Sequence, residues 1–352
     1  MPKNKKTEAR QSGSALPFVP PADKRHASKD SYQIISQQQL TEDVHARRAE
    51  RLSAECPFRA ARLKMAEAPG ATAYLNAMPS EPGLRISHQA MNRIIRRQLG
   101  LSEITRPVAC RCAKEPPQLQ EPDVDYVAQR KGLLLPEDQA SAVHLTVCKC
   151  LGGGIHRHDT VVSQVRTILT SIPDMTTRVE VSQLVPDHRA DLVHYSPITP
   201  TGKCDDVSVT NPLIDANRRQ AATTVLYAAA EREKAKRKIW EEPCKTAGLA
   251  FGVLAFEPTG GQGLETQCSL KAWAALADSH AAYEPVNWAA PNRYVYYTQL
   301  LSVSLVKGED RAAHNLLTSI LNDDSKNIKL DDGDRNGKKK NKKRSPVKNR
   351  KL

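Results

Sequence analysis

Long apolar runs, an apolar leader and aromatic residues are scarce or missing in this chain of 352 residues. No run reaches the roughly 18 apolar residues that a membrane-spanning helix needs, and the first residues, MPKNKKTEAR, are polar. Aromatic residues make up 5% of the chain and form no array on which unpaired bases could stack. We therefore expect a soluble intracellular protein without a membrane partner or a platform for single strands.

The formal net charge of +13 is concentrated at one end of the chain. Residues 338–352 contain nine Lys or Arg residues and no acidic residue, which leaves a net charge of only +4 for the rest. Such a basic run is typical of nuclear-import signals and nonspecific phosphate contacts, and equally of solvated, disordered ends. We expect a nuclear protein whose nearly neutral body has no broad basic face by composition alone.

The eight cysteines favour metal binding over disulfides, because the chain has no secretory signal. Two close pairs, Cys110 with Cys112 and Cys148 with Cys150, lie on either side of an acidic, proline-rich segment. Closely spaced thiolates are typical of zinc sites, although reduced cysteines without a metal give the same pattern. The sequence alone leaves both interpretations open.

Composition and hydrophobic period divide the chain into six segments. They are a disordered start (1–30), a helical region (31–109), a zinc-knuckle-like Cys/His region with an insertion (110–150), a core (151–263), a helical extension (264–325) and a disordered basic tail (326–352). In the helical region, Ser87 can cap a helix that buries Ile94 and turns Arg93, Arg96 and Arg97 outward.

The clearest secondary-structure pattern lies in the core. A helix is predicted after the glycines at 152–154, strands at 178–185, 189–196 and 206–213, a long helix over about 215–241 that stops at Pro243, and a last strand at 248–256. This order predicts an α/β fold in which a small mixed sheet is flanked by helices.

Two carboxylates occupy notable positions in this pattern. Asp191 lies near the start of one predicted strand and Asp206 at the start of the next, while Glu180 on the preceding strand could add a third carboxylate. Magnesium prefers such oxygen ligands and can polarise a phosphodiester. Aspartates beside loops are also commonplace at strand ends, where they have no ligand at all.

The long helix after Asp206 supplies basic residues. Lys234 and Lys238 are four residues apart and therefore lie on one helix face. A lysine there could orient an attacking water or neutralise charge that develops on phosphate. The alternative is an ordinary solvated helix face.

Seven sequence motifs follow one another in order between about residues 72 and 263. They read GLRISHQAMNRIIRRQLGL, CRC, VHLTVCKCLGGGIHRHDTVVSQV, RADLV, DDVSVTNPL, AAAEREKAKRKIW and AFGVLAFEPTGGQG. This ordered series resembles the C-terminal region of non-LTR retrotransposon reverse-transcriptase polyproteins. That region looks like the restriction-enzyme-like endonuclease of site-specific LINE elements, in the PD-(D/E)xK nuclease superfamily.

The resemblance implies a role for each matched position. Asp191, in the slot Arg189-Ala190-Asp191, corresponds to the first metal carboxylate, with Ala190 where the family has proline. Asp206 corresponds to the second, with Asp205 as an alternative register. Lys234 or Lys238 then corresponds to the superfamily lysine, which these elements carry on the following helix.

Two further groups of residues are implied in the same way. Arg157 and His158, in a motif that opens the first core helix, would contact phosphate together with Arg189. Zinc would be bound by a knuckle-like set in which Cys150 can replace one ligand, namely Cys110, Cys112, His144 and Cys148. The spacing departs from the family, since the first pair is one residue short and residues 113–143 intervene.

Three functions are compatible with these observations. The first is a magnesium-dependent endonuclease that nicks DNA to expose a primer for reverse transcription. The second is an inactive remnant that binds DNA, or RNA, through phosphate contacts. The third is a structural protein whose aspartates only cap strands. None of them requires a small-molecule substrate, and the chain has no Tyr-x-Asp-Asp motif of a polymerase.

Overall fold

The computed structural model describes residues 47, 50, 51, 54, 56–112, 133–136, 138–185, 188–197, 199–282 and 288–334. The predicted disordered start (1–30) and the basic run at 338–352 lie outside these residues, so both remain predictions. The boundaries of the six predicted segments also remain predictions, because the described residues all belong to one unit, Arg47–Leu352.

A four-stranded sheet forms the centre of the fold, and with its flanking helices it confirms the α/β class. Its strands are β3 (Thr176–Val185), β4 (His188–Ser196), β5 (Thr199–Val209) and β6 (Ala250–Phe256), in that spatial order. The pairs β3–β4 and β4–β5 are antiparallel, whereas β5–β6 is parallel. A parallel neighbour requires a crossover connection, and helices supply it here.

Helices cover both faces of this sheet. Those of the core and the C-terminal region are α4 (Gly153–Thr170), α5 (Asp215–Ala221), α6 (Tyr227–Thr246), α7 (Leu264–His280) and α8 (Arg293–Asp334). The largest core cluster joins α4, α7 and α8 to Leu192, Val207 and Leu254 of the sheet. On the other side, Trp240 and Cys244 of α6 pack against Cys204.

The region before the core is built from short elements. They are α1 (Pro57–Glu67), 3-10 helices at Ala73–Leu75 and Pro82–Leu84, α2 (His88–Gln98), a hairpin of β1 (Val108–Ala109) and β2 (Leu133–Leu134), and α3 (Gln139–Val147). Ser87 caps α2 as predicted, since its side chain accepts a hydrogen bond from the Ala90 amide.

The predicted outward direction is confirmed for Arg96, which is exposed, but it is wrong for Arg93 and Arg97. Arg93 and Arg97 both bind Asp310 of α8, and Arg97 also binds Glu103. The helical pattern could not reveal this, because the partner carboxylate is more than 200 residues away in the chain.

The third core strand starts earlier than predicted. Residues 199–205, predicted as a loop between two strands, are part of β5, and residues 210–213, predicted as strand, lie beyond its end. Gly202 has φ +87°, and the β4–β5 register shifts between His194 and Ser196. Glycine therefore marks a bulge within the strand, where sequence reasoning took it as a turn.

The long helix predicted at 215–241 is two helices. It breaks before Leu226, which has φ +59°, after the β-branched run Thr223, Thr224 and Val225 that favours helix weakly. Its second part, α6, also passes through Pro243 and ends at Thr246. The missing proline amide is tolerated in this last turn, where Cys244 is buried and its carbonyl accepts from the Leu249 amide.

The last helix is longer than expected. The tail was predicted to begin at residue 326, but α8 continues to Asp334. The sequence from 321 to 332 contains no proline or glycine that would end a helix. In the part of the chain that the structure describes, neither α8 nor any other helix is long and apolar enough to cross a membrane.

Glu257, at the end of β6, predicts an unusual pH dependence of stability. Its side chain is 1% exposed, and burial raises its pKa from 4.5 to about 7. The folded state therefore holds a proton that the unfolded chain loses, so the unfolding free energy falls as pH rises from about 4.5 to 7. We expect Glu257→Gln to be more stable than wild type at pH 8, by roughly 3 kcal/mol at most, and similar at pH 4.

Denaturant titrations at the two pH values measure this difference. Glu67→Gln is the matched control, because Glu67 is exposed. If Glu257→Gln were more stable than wild type by the same amount at both pH values, the buried, protonated carboxyl would be contradicted.

Candidate functional site

Asp191 and Asp206 lie side by side on neighbouring strands. The β4–β5 register pairs Leu192 with Asp205 and Val193 with Cys204. Continued by one residue, it sets Asp191 opposite Asp206, and directly opposed residues have Cβ atoms about 5 Å apart on the same face of the sheet. The structure therefore brings together the two carboxylates that the sequence singled out.

Each of these carboxylates is held in place by further bonds. The Oδ2 atom of Asp191 accepts a hydrogen bond of 2.8 Å from the Val207 amide. The Oδ1 atom of Asp206 lies 2.6 Å from Nζ of Lys236, and its Oδ2 atom accepts a hydrogen bond of 3.0 Å from Ser208. Both side chains are thus fixed before any ligand binds.

Asp205, the alternative register, points to the other face of the sheet. Its carboxylate is fully buried and bonded to His194 at 2.8 Å and to Lys203 at 2.9 Å. Burial acts to raise its pKa, but the Lys203 charge and the His194 hydrogen bond outweigh burial and lower the pKa. Since successive strand residues face opposite sides, Asp205 cannot share a ligand with Asp191.

Lys236, and neither of the two lysines predicted from the sequence, contacts the aspartate pair. Lys234 is 73% exposed and binds Glu231, and Lys238 is exposed. At about 100° per residue, a side chain two positions from Lys236 points about 200° away around the helix. The predicted lysines do share one face, as their spacing requires, but it is the solvent face of α6.

His158 completes the charge balance of the pair. Its Nε2 atom lies 3.2 Å from Oδ2 of Asp191, and its Nδ1 atom lies 3.2 Å from Asp159. The hydrogen bond to Asp191 raises the pKa of His158 to about 9, so the imidazole is a cation at neutral pH. Two carboxylates are therefore matched by two cations, His158 and Lys236.

The surroundings of Asp206 have opposing effects on the pKa of its carboxyl. Burial raises the pKa of its carboxyl, and the nearby charge of Asp191 raises it further, although Lys236 acts in the opposite direction. A like charge close by disfavours the charged form of a carboxyl, whereas a cation beside it favours that form. The charge of Asp206 therefore depends on the cation next to it, Lys236.

Arg157 is engaged elsewhere, contrary to its predicted phosphate contact. Its side chain is buried, and Nη1 binds Glu309 of α8 and the carbonyl of Thr146 at 3.1 Å. A guanidinium whose charge is neutralised inside the protein anchors α4 to α8. Of the other two residues predicted to contact phosphate, Arg189 is exposed, and His158 lies beside Asp191 in the wall of a cavity.

A cavity of about 440 Å³ opens over the aspartate pair. Its walls are formed by Gly154, Arg157, His158, Arg189, Asp191, Asp206, Val207, Ser208, Val209, Arg232, Lys236, Ile239 and Trp240. A neighbouring cavity of about 700 Å³ shares Gly154, His158, Arg189 and Asp191 with it and adds Arg166. We call the two together the aspartate groove; its rim is rich in cationic side chains.

Glu180 lies on β3, but its side chain is outside the part of the chain that the structure describes. The pairs Val179–Leu192 and Val181–Ala190 place position 180 next to Asp191 in the register. Its predicted role as a third carboxylate remains a prediction.

A second group of potential metal ligands lies beside the groove's first helix. The Sγ atoms of Cys110, Cys112, Cys148 and Cys150 all lie within 4.8 Å of one another, and among the described side chains no other set of three or more Cys, His, Asp or Glu ligands does so. Cys110 follows β1, while Cys148 and Cys150 lie between α3 and α4. This cluster could hold a metal ion.

The geometry of the cluster fits tetrahedral coordination. Cys110 Sγ lies 3.6 Å from Cys148 Sγ and 3.8 Å from Cys150 Sγ. Four sulfurs at about 2.3 Å from one ion would be about 3.8 Å apart. Burial raises the pKa of the Cys110 thiol to about 11, so this thiol stays protonated without an ion.

His144 is displaced from the predicted ligand set by Cys150. Its Nε2 atom lies 3.4 Å from Sγ of Cys112, a hydrogen-bond distance, and burial lowers its pKa. Residues next to metal thiolates commonly take such an outer position, where they orient the ligands. Sequence analysis named Cys150 as a possible replacement for one ligand, but it did not say which ligand would be replaced.

Sequence reasoning missed three groove residues, Lys236, Arg232 and Ser208. A usable signal was present: Arg232, Lys236 and Trp240 recur every four residues along α6 and form one face. Trp240 is buried against the sheet, so this face, and not the one that carries Lys234, turns inward.

The groove must be interpreted from its own geometry. No protein-family model and no curated protein matches this chain.

Proposed function

We propose that the chain is a magnesium-dependent DNA endonuclease that nicks one strand, with a core like that of restriction endonucleases. The observation that carries this proposal is the opposed pair Asp191 and Asp206 with Lys236 bonded to one of them, in a groove with a cationic rim. Two carboxylates on neighbouring strands of a mixed sheet, with a lysine on the following helix, are also what the resemblance to retrotransposon endonucleases implies. A retrotransposon origin and a nuclear location, for which the basic tail argues, belong to the same proposal.

The donor set suits magnesium. This ion takes one or two carboxylates and completes its shell with water and phosphate oxygens, and the cavity leaves about 440 Å³ for them. Asp191 and Asp206 would hold it, and bound there it would polarise the scissile phosphodiester. Burial and the nearby charge of Asp191 raise the pKa of Asp206, and a bound cation would offset both effects.

The two cations of the site supply the remaining chemistry. Lys236 is placed to orient a water molecule at Asp206 and to stabilise the negative charge that develops on phosphate. His158 is held against Asp191 in the wall of the groove, so the charge of its ring would lie near a bound phosphate and stabilise it. Both groups are already positioned, so little reorganisation is needed.

The rim of the groove favours a polyanionic substrate. Arg166, Arg189 and Arg232 line the two cavities along their length. Contacts from such side chains to backbone phosphates fix the register of a duplex and carry little sequence information. DNA is the substrate that the resemblance implies.

We also propose zinc as the ion of the cysteine cluster. Four thiolates without a vacant position are typical of structural zinc, and Cys148 and Cys150 pack against the α8 residues of a separate core cluster. Zinc would tie the segment after β1 to the start of α4, which carries His158. Its role would be to position the groove.

Lys236→Met tests the assignment of the groove. We expect the variant to nick supercoiled plasmid with magnesium roughly 100-fold more slowly than wild type, because a preorganised stabilising group is lost. Lys234→Met and Lys238→Met are matched controls, since they remove the same charge from the solvent face of the same helix. The initial rate of open-circle formation is the measurement.

Three outcomes are informative. Equal loss of activity in all three lysine variants would mean that only the helix charge matters and would contradict the proposed site. Folded wild-type protein that does not nick but binds DNA with a steep salt dependence would identify a binding protein without turnover. Folded protein that does neither would leave a structural role.

A further inference from the structure

A second, smaller cavity lies away from the aspartate groove, where α1, α2, α3 and α8 meet the turn after β6. Its volume is about 60 Å³, and its walls are mostly apolar, with Met65, Ile94, Val143, Leu213 and Val306 among them. A water molecule needs roughly 10–15 Å³ by this measure, so the cavity holds a few waters or one small molecule.

Arg62 of α1 lines this cavity, and among the described residues little balances its charge. The residue is only 9% exposed, and its Nε atom has no hydrogen-bond partner in the part of the chain that the structure describes. Its Nη1 atom binds the neutral side-chain oxygen of Gln139, and Phe58 lies 5.8 Å away as a cation–π contact. Within the described chain Arg62 makes no ion pair with a carboxylate, and a buried charge without a counter-ion is costly.

The other charged groups of the cavity wall are already paired. Arg97 binds Glu103 and Asp310, and Glu309 binds Arg157. Among the described residues, the uncompensated charge of the cavity wall is therefore a single positive one. Thr259 adds a buried hydroxyl without a partner on the same wall, which supplies a second donor.

Backbone geometry keeps room for the guanidinium. Gly100, just past the end of α2, has φ +75°, and a Cβ atom there would lie 2.8 Å from Nη1 of Arg62. Only glycine avoids both the backbone strain and this clash. Gly100, just past the end of α2, therefore leaves space for the guanidinium of Arg62 in its observed position.

We propose that this cavity binds a small carboxylate monoanion with a short apolar part, of the size of acetate. One negative charge matches the single unbalanced arginine, whereas a dianion such as phosphate would leave an excess charge buried. A carboxylate can accept bonds from the arginine and from Thr259, while its methyl group packs on the aliphatic wall. The site is independent of the nuclease proposal and joins α1 to the core.

The test compares acetate with gluconate, a monoanion too large for the cavity, at constant ionic strength and neutral pH. For the full chain we expect acetate to raise the midpoint of thermal unfolding in a saturable way, with a matching heat in calorimetric titration. Arg62→Met should abolish this response, and Arg62→Lys, which keeps the charge but loses the planar fork, should weaken binding roughly tenfold. Arg219→Met is the matched control, because Arg219 is exposed on α5.

The sign of the Arg62→Met effect in gluconate is a second readout. Removal of an unbalanced buried charge should leave the midpoint unchanged or raise it. A lower midpoint, or failure to fold, would mean that Arg62 is already neutralised within the protein and would overturn the proposal. Equal responses to acetate and gluconate in wild type, or an acetate response that survives in Arg62→Met, would overturn it as well.

Discussion

Asp206→Asn is expected to lower magnesium-dependent nicking about a thousandfold or more, with little change in the fold. The substitution removes one of two anionic ligands, and the loss of a metal's charge stabilisation amounts to several kcal/mol of barrier. Asparagine has the same shape, so it can still accept the hydrogen bond from Ser208. Removal of the repulsion from Asp191 compensates in part for the lost ion pair with Lys236.

Rates of plasmid nicking over a series of magnesium concentrations separate a ligand from a structural aspartate. A ligand variant needs more magnesium and stays slow at saturation, while its thermal midpoint stays close to that of wild type. Asp215→Asn is the control, since Asp215 is exposed and bonded only to Arg218. If Asp206→Asn unfolds, or keeps its rate, the carboxylate is not a metal ligand.

Cys148→Ser is expected to abolish metal binding at the cysteine cluster and to destabilise the fold strongly. Binding of zinc by four thiolates contributes on the order of 10 kcal/mol to the folding of small zinc domains. This chain has a large core of its own, so we expect a smaller loss, at least about 3 kcal/mol of unfolding free energy. Metal analysis of purified protein should find one zinc per wild-type chain and none in the variant.

Three further variants check the ligand set. Cys268→Ser is the matched control, because Cys268 is exposed and lies outside the cluster. His144→Ala should keep the zinc but bind it about 10- to 100-fold more weakly, as expected for an outer partner. Complete loss of zinc in His144→Ala, with retention in a Cys150→Ser variant, would restore the Cys/His set that the sequence suggested.

The aspartate pair was predictable because it depends on local pattern. Alternating residues identified two consecutive strands, and consecutive strands joined by a short connection pair as antiparallel neighbours. The direct opposition of Asp191 and Asp206 was not predictable, because the bulge at Gly202 shifts the register. A shift of one residue would have brought Asp205 into the groove instead.

The lysine that contacts the aspartate pair was missed for a different reason. Spacing of four residues groups Lys234 with Lys238, and equally groups Arg232, Lys236 and Trp240, but it does not say which face meets the sheet. That choice depends on tertiary packing, and the buried Trp240 was the only local indication. In the same way, the exchange of His144 for Cys150 depends on how α3 and α4 meet, which no spacing rule specifies.

Two adjacent acids of α8 have a mechanical consequence. Glu309 holds Arg157, whose chain neighbour His158 touches Asp191, while Asp310 holds Arg93 and Arg97 of α2. One turn of α8 therefore connects α2 to the start of α4 through these ion pairs. A movement of α8 along its axis would therefore either break these ion pairs or move α2 and α4 together with α8.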